Sequence, residues 1–199
     1  MTAMTELNVT VGVPAGAIPL PINEAGDMTS WAESVARSRL PVDAPEGQLA
    51  DFARMLLACT AESRARGPKI MAMAFCPDPS AGELARIEVS DMAPSTEWPD
   101  LNLKQLGEFF AGPLQPHALL PPETTALELP AGPAVRVRQQ FLTQLDEDQV
   151  GRVMETIVYA IRPPQTPAAV VLTVSWQALY YGRALTALAE KLAQTVQLG

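Results

Sequence analysis

Patterning predicts an α+β fold: a mainly antiparallel sheet of about six or seven strands with helices packed on its faces. Three observations carry that expectation. From Thr125 to Leu198 the apolar period is two through four successive runs and then turns helical. The links between those runs are short, which favours antiparallel pairing. A second long helical pattern, Asp43 to Arg66, ends on Gly67-Pro68 and precedes two more strand-like runs.

In chain order, LNVTVGV (Leu7 to Val13) alternates Leu7, Val9, Val11 and Val13 against Asn8, Thr10 and Gly12, as a strand with one buried face does. The PAGAIPLPINEAGD passage after it is too punctuated by proline and glycine for a regular element. Ser30 and Glu33 have the spacing of a capping box and open a short helix that runs through Leu40, where Pro41 stops it. Asp43 and Glu46 repeat the spacing, with Pro45 in the first turn, and start the long helix. Leu49, Phe52, Leu56 and Cys59 form its apolar stripe, with Met55 alongside. Arg64 and Arg66 fall in its last turn, at the negative end of the dipole, and Gly67-Pro68 ends it.

KIMAMAFCP then reads as a strand, DPSAG as a turn and ELARIEVSDM as a second strand. In the latter, Leu84, Arg86, Glu88 and Ser90 oppose Ala85, Ile87 and Val89. Ala93 to Asp100 is a loop. Asn102 and Gln105 cap a short helix whose apolar face is Leu103, Leu106, Phe109 and Phe110. A second proline-rich excursion, GPLQPHALLPPE, leads to the strand TALEL and the turn Leu129 to Pro133, where Gly132 tolerates positive φ. In AVRVRQQF, Val135 and Val137 alternate with Arg136 and Arg138, one apolar face and one charged. QVGRVMETIVYAI places Val153, Glu155, Ile157, Tyr159 and Ile161 on one face and Met154, Thr156, Val158 and Ala160 on the other. Both faces are mostly apolar, which marks a central strand, and Arg162-Pro163-Pro164 ends it. AAVVLTVSW is the fourth strand, rich in β-branched residues. A helix over Leu179–Gln197 closes the chain, its stripe Leu185, Leu188, Leu192 and Val196 demanding a sheet to lie on.

The 199 residues are expected to form a single α+β domain, 1–199. Apolar content of 48% against 18% charge describes a globular chain. A net charge of −8 argues against nucleic acid and anionic membrane surfaces as partners. The first residues carry neither the basic nor the apolar region of a signal peptide, and no run approaches the ~20 apolar residues of a membrane span. The expected compartment is the cytoplasm.

The two cysteines are poorly placed to bond to one another. If the chain folds back at Gly67-Pro68, Cys59 lies about 12 Å along a helix and Cys76 roughly 30 Å along a strand. A disulfide needs Cα atoms within ~7 Å. Two buried, reduced thiols are the expectation.

No motif for catalysis stands out. His117 is the only histidine; it sits in a proline-rich loop with no Gly-x-Ser-x-Gly elbow to serve. Zinc needs several close Cys or His ligands, and the chain has none so spaced. Asp146, Glu147 and Asp148 lack the ligand alternation and internal glycine of a calcium loop and read as a solvated hairpin turn. Neither a phosphate loop nor a dinucleotide fingerprint is present. No cofactor is implied. Trp176, Tyr180 and Tyr181 cluster where the last strand meets the last helix, as an aromatic plug or as a partner anchor. Trp98 and Trp31 are candidate loop and cap anchors. Arg136, Arg138 and Arg152 are expected to line one exposed sheet face, offset by Glu128 and Glu155 through cross-strand pairs.

The order of elements, with LPAGPAVRVR leading to VVLTVSW and a closing helix, resembles the PsbP-like α/β sandwich. That fold includes the extrinsic photosystem protein, the Ran-binding nucleotide-release factor and LpqN-type lipoproteins. The chain departs from the secreted members in lacking a lipobox cysteine and a signal peptide. The resemblance implies the fold and a binding role rather than catalysis. The expected function is therefore a non-enzymatic accessory or protein-interaction protein, with Trp98, Arg136, Arg138, Trp176, Tyr180 and Tyr181 as candidate binding residues. The alternative is a small-ligand binder with a pocket between sheet and helices near Trp176 and Tyr180. Neither the partner nor the oligomeric state can be read from the residues.

Overall fold

Proline and glycine set the limits of the elements in the computed structural model, which describes residues 8–112, 118–143 and 151–199. In chain order the elements begin β1 (Val9–Thr10), β2 (Ala17–Leu20), α1 (Met28–Arg39), α2 (Glu46–Ala65), β3 (Met71–Phe75) and β4 (Ala85–Met92). They continue α3 (Leu103–Ala111), β5 (Glu123–Leu129), β6 (Gly132–Leu142), β7 (Val153–Ile161), β8 (Ala169–Trp176), α4 (Gly182–Ala193) and β9 (Gln197–Leu198). A 3₁₀ turn, Leu179–Tyr181, leads into α4. The predicted class is the one observed: four helices pack against seven antiparallel sheet strands. Contacts group the chain into two compact units, Pro14–Ser90 and Met1–Val13 with Asp91–Gly199.

In Pro14–Ser90, β2, β3 and β4 pair antiparallel in that order. Helix α2 lies on β2 and β3, and α1 packs on α2. Ile18, Leu20, Ala32, Ala36, Phe52, Leu56 and Cys59 are among the residues of the shared core. Trp31 is part-buried against that core rather than free at the surface. Strand β2 corrects the sequence reading, which left 14–27 irregular. Pro19 suggested a break, but β2 is an edge strand, where a residue without an N–H is tolerated. Two caps also differ from expectation. Helix α1 starts at Met28 because the Asp27 carboxylate accepts hydrogen bonds from the Thr29 and Ser30 backbone N–H groups. Helix α2 starts at Glu46 with Pro45 as its cap residue and no side-chain cap.

Strand β4 is buried on both faces, so its charges must be paired. Arg86, 4% exposed, donates to the Cys59 carbonyl at 2.8 Å and the Ser63 hydroxyl at 2.9 Å. It also bonds to Glu83 and reaches Glu62 at 3.4 Å. Burial works against its charge, but Glu83 and Glu62 outweigh that and hold the guanidinium above its ordinary range. Glu88, 5% exposed, meets Arg66 at 3.3 Å. Arg64 does more than complement the dipole of α2. It donates to the carbonyls of Pro21, Ile22 and Glu24 and pins the turn that carries the chain from β2 to α1.

In the other unit, β5 to β8 form an antiparallel meander with an unbroken one-to-one register. The turn Pro130–Ala131 requires glycine next. Gly132 has φ +135, and a Cβ there would sit 2.7 Å from the Arg162 carbonyl oxygen. Helix α3 begins with the predicted capping box of Asn102 and Gln105 and covers one face of the meander. Leu101, Leu106, Val135, Val137 and Ala160 close that side. Helix α4 covers the other face through Leu185, Ala189 and Leu192, against β7 and β8. Each buried leucine contributes about 2 kcal/mol.

The ends of this unit correct two further expectations. The helix stops at Ala193, and the last residues turn back as β9 instead of continuing to Gln197. The first strand is ordered as a ladder only over β1, because β9 offers it just two partners. Leu7, His117 and the run Asp146 to Asp148 lie outside the described residues.

Two outcomes follow from the Pro14–Ser90 core. Arg86→Met should lower stability by about 3 kcal/mol, because Glu83 is left charged without its partner. Urea unfolding checks this, and a loss under about 1 kcal/mol would mean the network is idle. Cys59 and Cys76 are free and buried, and each thiol is pushed up from 9.0 to about 12, first by burial and then by the nearby Glu83 charge. A raised folded pKa favours the fold below the unfolded value and stops doing so as pH climbs from 9.0 toward about 12. Both thiols should therefore resist iodoacetamide at pH 8 in the native protein and react fully in urea, and stability should fall above pH 9 less steeply in Cys59→Ala.

Candidate functional site

On β6 the alternation assigns Val135 and Val137 to the α3 face and Arg136 and Arg138 to the α4 face. Register puts Tyr159 of β7 opposite Arg136, and Glu155 opposite both Gln140 of β6 and Trp176 of β8. Two arginines, a carboxylate, a phenol and an indole thus share one side of the sheet, beneath α4.

The arginines are occupied there. Glu155 is 2% exposed, and Arg138 holds its Oε1 from Nε at 2.5 Å and from Nη2 at 2.5 Å. Arg138 also lies 3.8 Å from Glu123 on β5. Arg136 Nη1 reaches Glu190 Oε1 of α4 at 3.2 Å, tying helix to sheet. Glu155 is a cross-strand partner expected of the arginine face; the other partners are Glu123 and Glu190 rather than Glu128, and α4 lies over a face expected to be exposed. Arg152 instead accepts a hydrogen bond from the Thr143 backbone N–H at its carbonyl and donates its own N–H to the Thr143 hydroxyl.

Trp176 is buried at 2% exposure, and its indole Nε1 has no hydrogen-bond partner among the described residues. The same holds for the Tyr159 hydroxyl and Arg136 Nε. Burial raises the Tyr159 pKa; the Arg136 charge lies near enough to oppose the shift, without hydrogen-bond geometry. The first residue of α4 approaches this cluster closely. A Cβ on Gly182 would lie 3.5 Å from Glu155 Oε2 and 3.9 Å from Trp176 Nε1. The start of α4 is therefore a near neighbour of the carboxylate and the indole, and the positive end of its dipole lies beside Glu155.

Tyr180 and Tyr181 lie just before that helix, on the outside. Leu179, Tyr180 and Tyr181 are 43%, 93% and 49% exposed, and the two rings meet edge to face with centroids 5.3 Å apart. Trp98 belongs elsewhere. It is half-buried on the α3 face, edge-on to Phe109 at 5.0 Å. The six sequence candidates are therefore divided between a polar cluster in which Trp176 is buried and Arg136 and Arg138 half-buried, an exposed aromatic turn (Tyr180, Tyr181) and the α3 core margin (Trp98).

Sequence reasoning did not single out Glu190 and Gly182. Glu190 lies off the apolar stripe of α4, where any surface acid would, and Gly182 carries no local signal. Glu155 did leave one: a carboxylate in the apolar phase of a strand. The cleft of about 470 Å³ between α3 and β5 was also not foreseen; Gly107, Ala111, Thr124, Ala126 and Val135 help line it. Among the described residues no group of three His, Cys, Asp or Glu side chains could hold a metal ion, and no helix is long and apolar enough to cross a membrane.

These features define an α+β protein whose sheet buries a fixed polar cluster under its last helix and exposes an aromatic turn beside it. In fold it is similar to the crystal structure of LpqN, involved in cell envelope biogenesis of Mycobacterium tuberculosis. The TM-score is 0.52 and the identity 12%, over 96% of this chain and 83% of that one. At that identity the likeness is one of fold alone. No family model and no curated protein matches the chain.

Arg138→Ala should cost about 2 kcal/mol, since it strands a buried carboxylate. Adding Glu155→Gln should return part of the loss. Denaturant midpoints of the two variants check the pairing, and a double variant weaker than the single one would refute it.

Proposed function

We propose that this chain is a non-enzymatic accessory protein that acts by binding another protein, with the turn Leu179–Tyr181 as its anchor. The observation that carries the reading is the exposure of three consecutive large apolar residues. It is the longest such run among the described residues. Tyrosine is a favoured anchor of interfaces. The two rings pack edge to face on one another, and α4 begins immediately after the turn. An aromatic side chain has few rotatable bonds and loses little conformational entropy when it binds. On this reading Arg136, Arg138 and Trp176 serve the interface from behind, by fixing the helix that presents the tyrosines. The depth of Glu155 fits a structural role better than proton transfer to a substrate.

We assign the fold to the PsbP-like sandwiches on the order of its elements and its likeness to LpqN. The cytoplasm is the compartment we favour, which suits two free, buried thiols. The second reading is a small-ligand binder. What favours it is the cleft between α3 and β5.

A photo-crosslinking amino acid at position 180, introduced in the native host, should give one discrete protein adduct. Tyr181→Ala should reduce that adduct at least about fivefold, a loss of about 1 kcal/mol, with an unchanged circular dichroism spectrum. No discrete adduct, or an adduct indifferent to Tyr181→Ala, would overturn the assignment. So would turnover of a small molecule that alanine at one carboxylate abolishes.

A further inference from the structure

We propose that the outer edge of β5, with the groove between β5 and α3, takes up an extended basic segment of another protein as an added strand. Strand β5 pairs with β6 along one side, and no other strand meets it among the described residues. Four successive residues, Glu123 to Ala126, are exposed. Such an edge presents a row of backbone donors and acceptors, which chains usually blunt with proline, lysine or a bulge. Strand β2 has its proline, Pro19. Strand β5 has none of these protections: it is seven residues long, and its register with β6 is unbroken from Glu123↔Arg138 to Leu129↔Gly132.

The groove supplies what a bare edge lacks, a place for side chains. Gly107 lets α3 come down on the sheet, since a Cβ there would lie 3.3 Å from both Thr124 Cγ2 and Val135 Cγ2. Beside that contact the floor is made of small side chains, Thr124 and Ala126, both in the β5 phase that faces α3. A strand laid along β5 would drop every second side chain into this volume of about 470 Å³. The groove is open rather than enclosed and is lined by two alternate residues of β5, which suits an extended chain better than an enclosed small molecule.

Charge decides what kind of strand. Glu128 lies on β5 in the same phase as Thr124 and Ala126, and Glu108 on the groove wall is 3.8 Å from Lys104; Glu123, in the other phase, is 3.8 Å from Arg138. An occupant with lysine or arginine among its apolar positions is attracted. A second copy of this chain, acidic at the same edge and carrying −8 overall, is repelled. The surface is separate from the aromatic turn, so it extends the protein-binding reading without depending on that anchor.

The test is a random twelve-residue phage library selected on the full chain and counter-selected on Ala126→Trp, which fills the groove from an exposed position. Recovered peptides should alternate apolar residues and carry lysine or arginine. N-methylation at every second residue should weaken binding at least about tenfold in one phase and little in the other. Glu128→Lys should weaken it at least about fivefold, and Tyr180→Ala should leave it unchanged. If Ala126→Trp does not fold, Glu128→Lys serves as the counter-selector. Failure to recover peptides that distinguish the variant would overturn the proposal, as would binders without the two-residue period or indifferent to N-methylation. A dimer in sedimentation that Ala126→Trp dissolves would make the occupant a second copy. Saturable uptake of an apolar dye without any peptide would make it a small ligand.

Discussion

A sheet covered by helices on both faces cannot leave a charge alone, and the β5–β8 meander is arranged around that constraint. Strand β6 alternates valine with arginine. Its valines close the α3 core, so its arginines must point under α4. An unpaired guanidinium there would lose its hydration without return. Glu155 and Glu190 meet that need, one from the neighbouring strand and one from the covering helix. The Arg136–Glu190 contact adds one tie between the sheet and α4. At Gly182 the space between α4 and the Glu155 carboxylate and Trp176 indole is about that of one methyl group.

The same physics recurs in Pro14–Ser90 with different parts. Strand β4 buries Arg86 and Glu88, and α2 answers with Glu62, Arg66, the Ser63 hydroxyl and the Cys59 carbonyl. Both thiols sit in this region and share Glu83 as a neighbour, which disfavours their thiolate forms. They behave as small core side chains rather than as nucleophiles. Buried charge in this protein is thus structural in both units: Arg86, Glu88 and Glu155 are each paired with an ion of opposite sign on a neighbouring segment.

Function is left to what the pairing does not consume. With Arg136 and Arg138 paired and Trp176 buried, the surface retains an aromatic turn directly before α4 and a strand edge carrying Glu128 beside an apolar groove. Both are features that bind polypeptide. The tyrosines directly precede α4, so the exposed turn and the polar cluster beneath that helix are neighbours.

Most elements were legible from period and punctuation alone. The meander of β5 to β8 announced itself by alternation and short links, α2 by its stripe and its Gly67-Pro68 stop, and α3 by Asn102 and Gln105. Strand β2 was hidden because proline reads as a breaker until the strand is known to lie at an edge. The helix end at Ala193 was hidden because TVQ continues an amphipathic pattern; its turn depends on β1 being there to pair with β9. The candidate site divides in the same way. That Arg136 and Arg138 share a face is a local fact, set by the two-residue repeat of any strand. That the face is buried, that Glu190 arrives from fifty-four residues away to pair with Arg136, and that Trp176 lies inside while Tyr180 lies outside are not local facts. Local backbone geometry decides which side a residue takes, and the sequence carries that. Which element comes to cover that side is decided by contacts between residues far apart in the chain, and only the tertiary structure holds those.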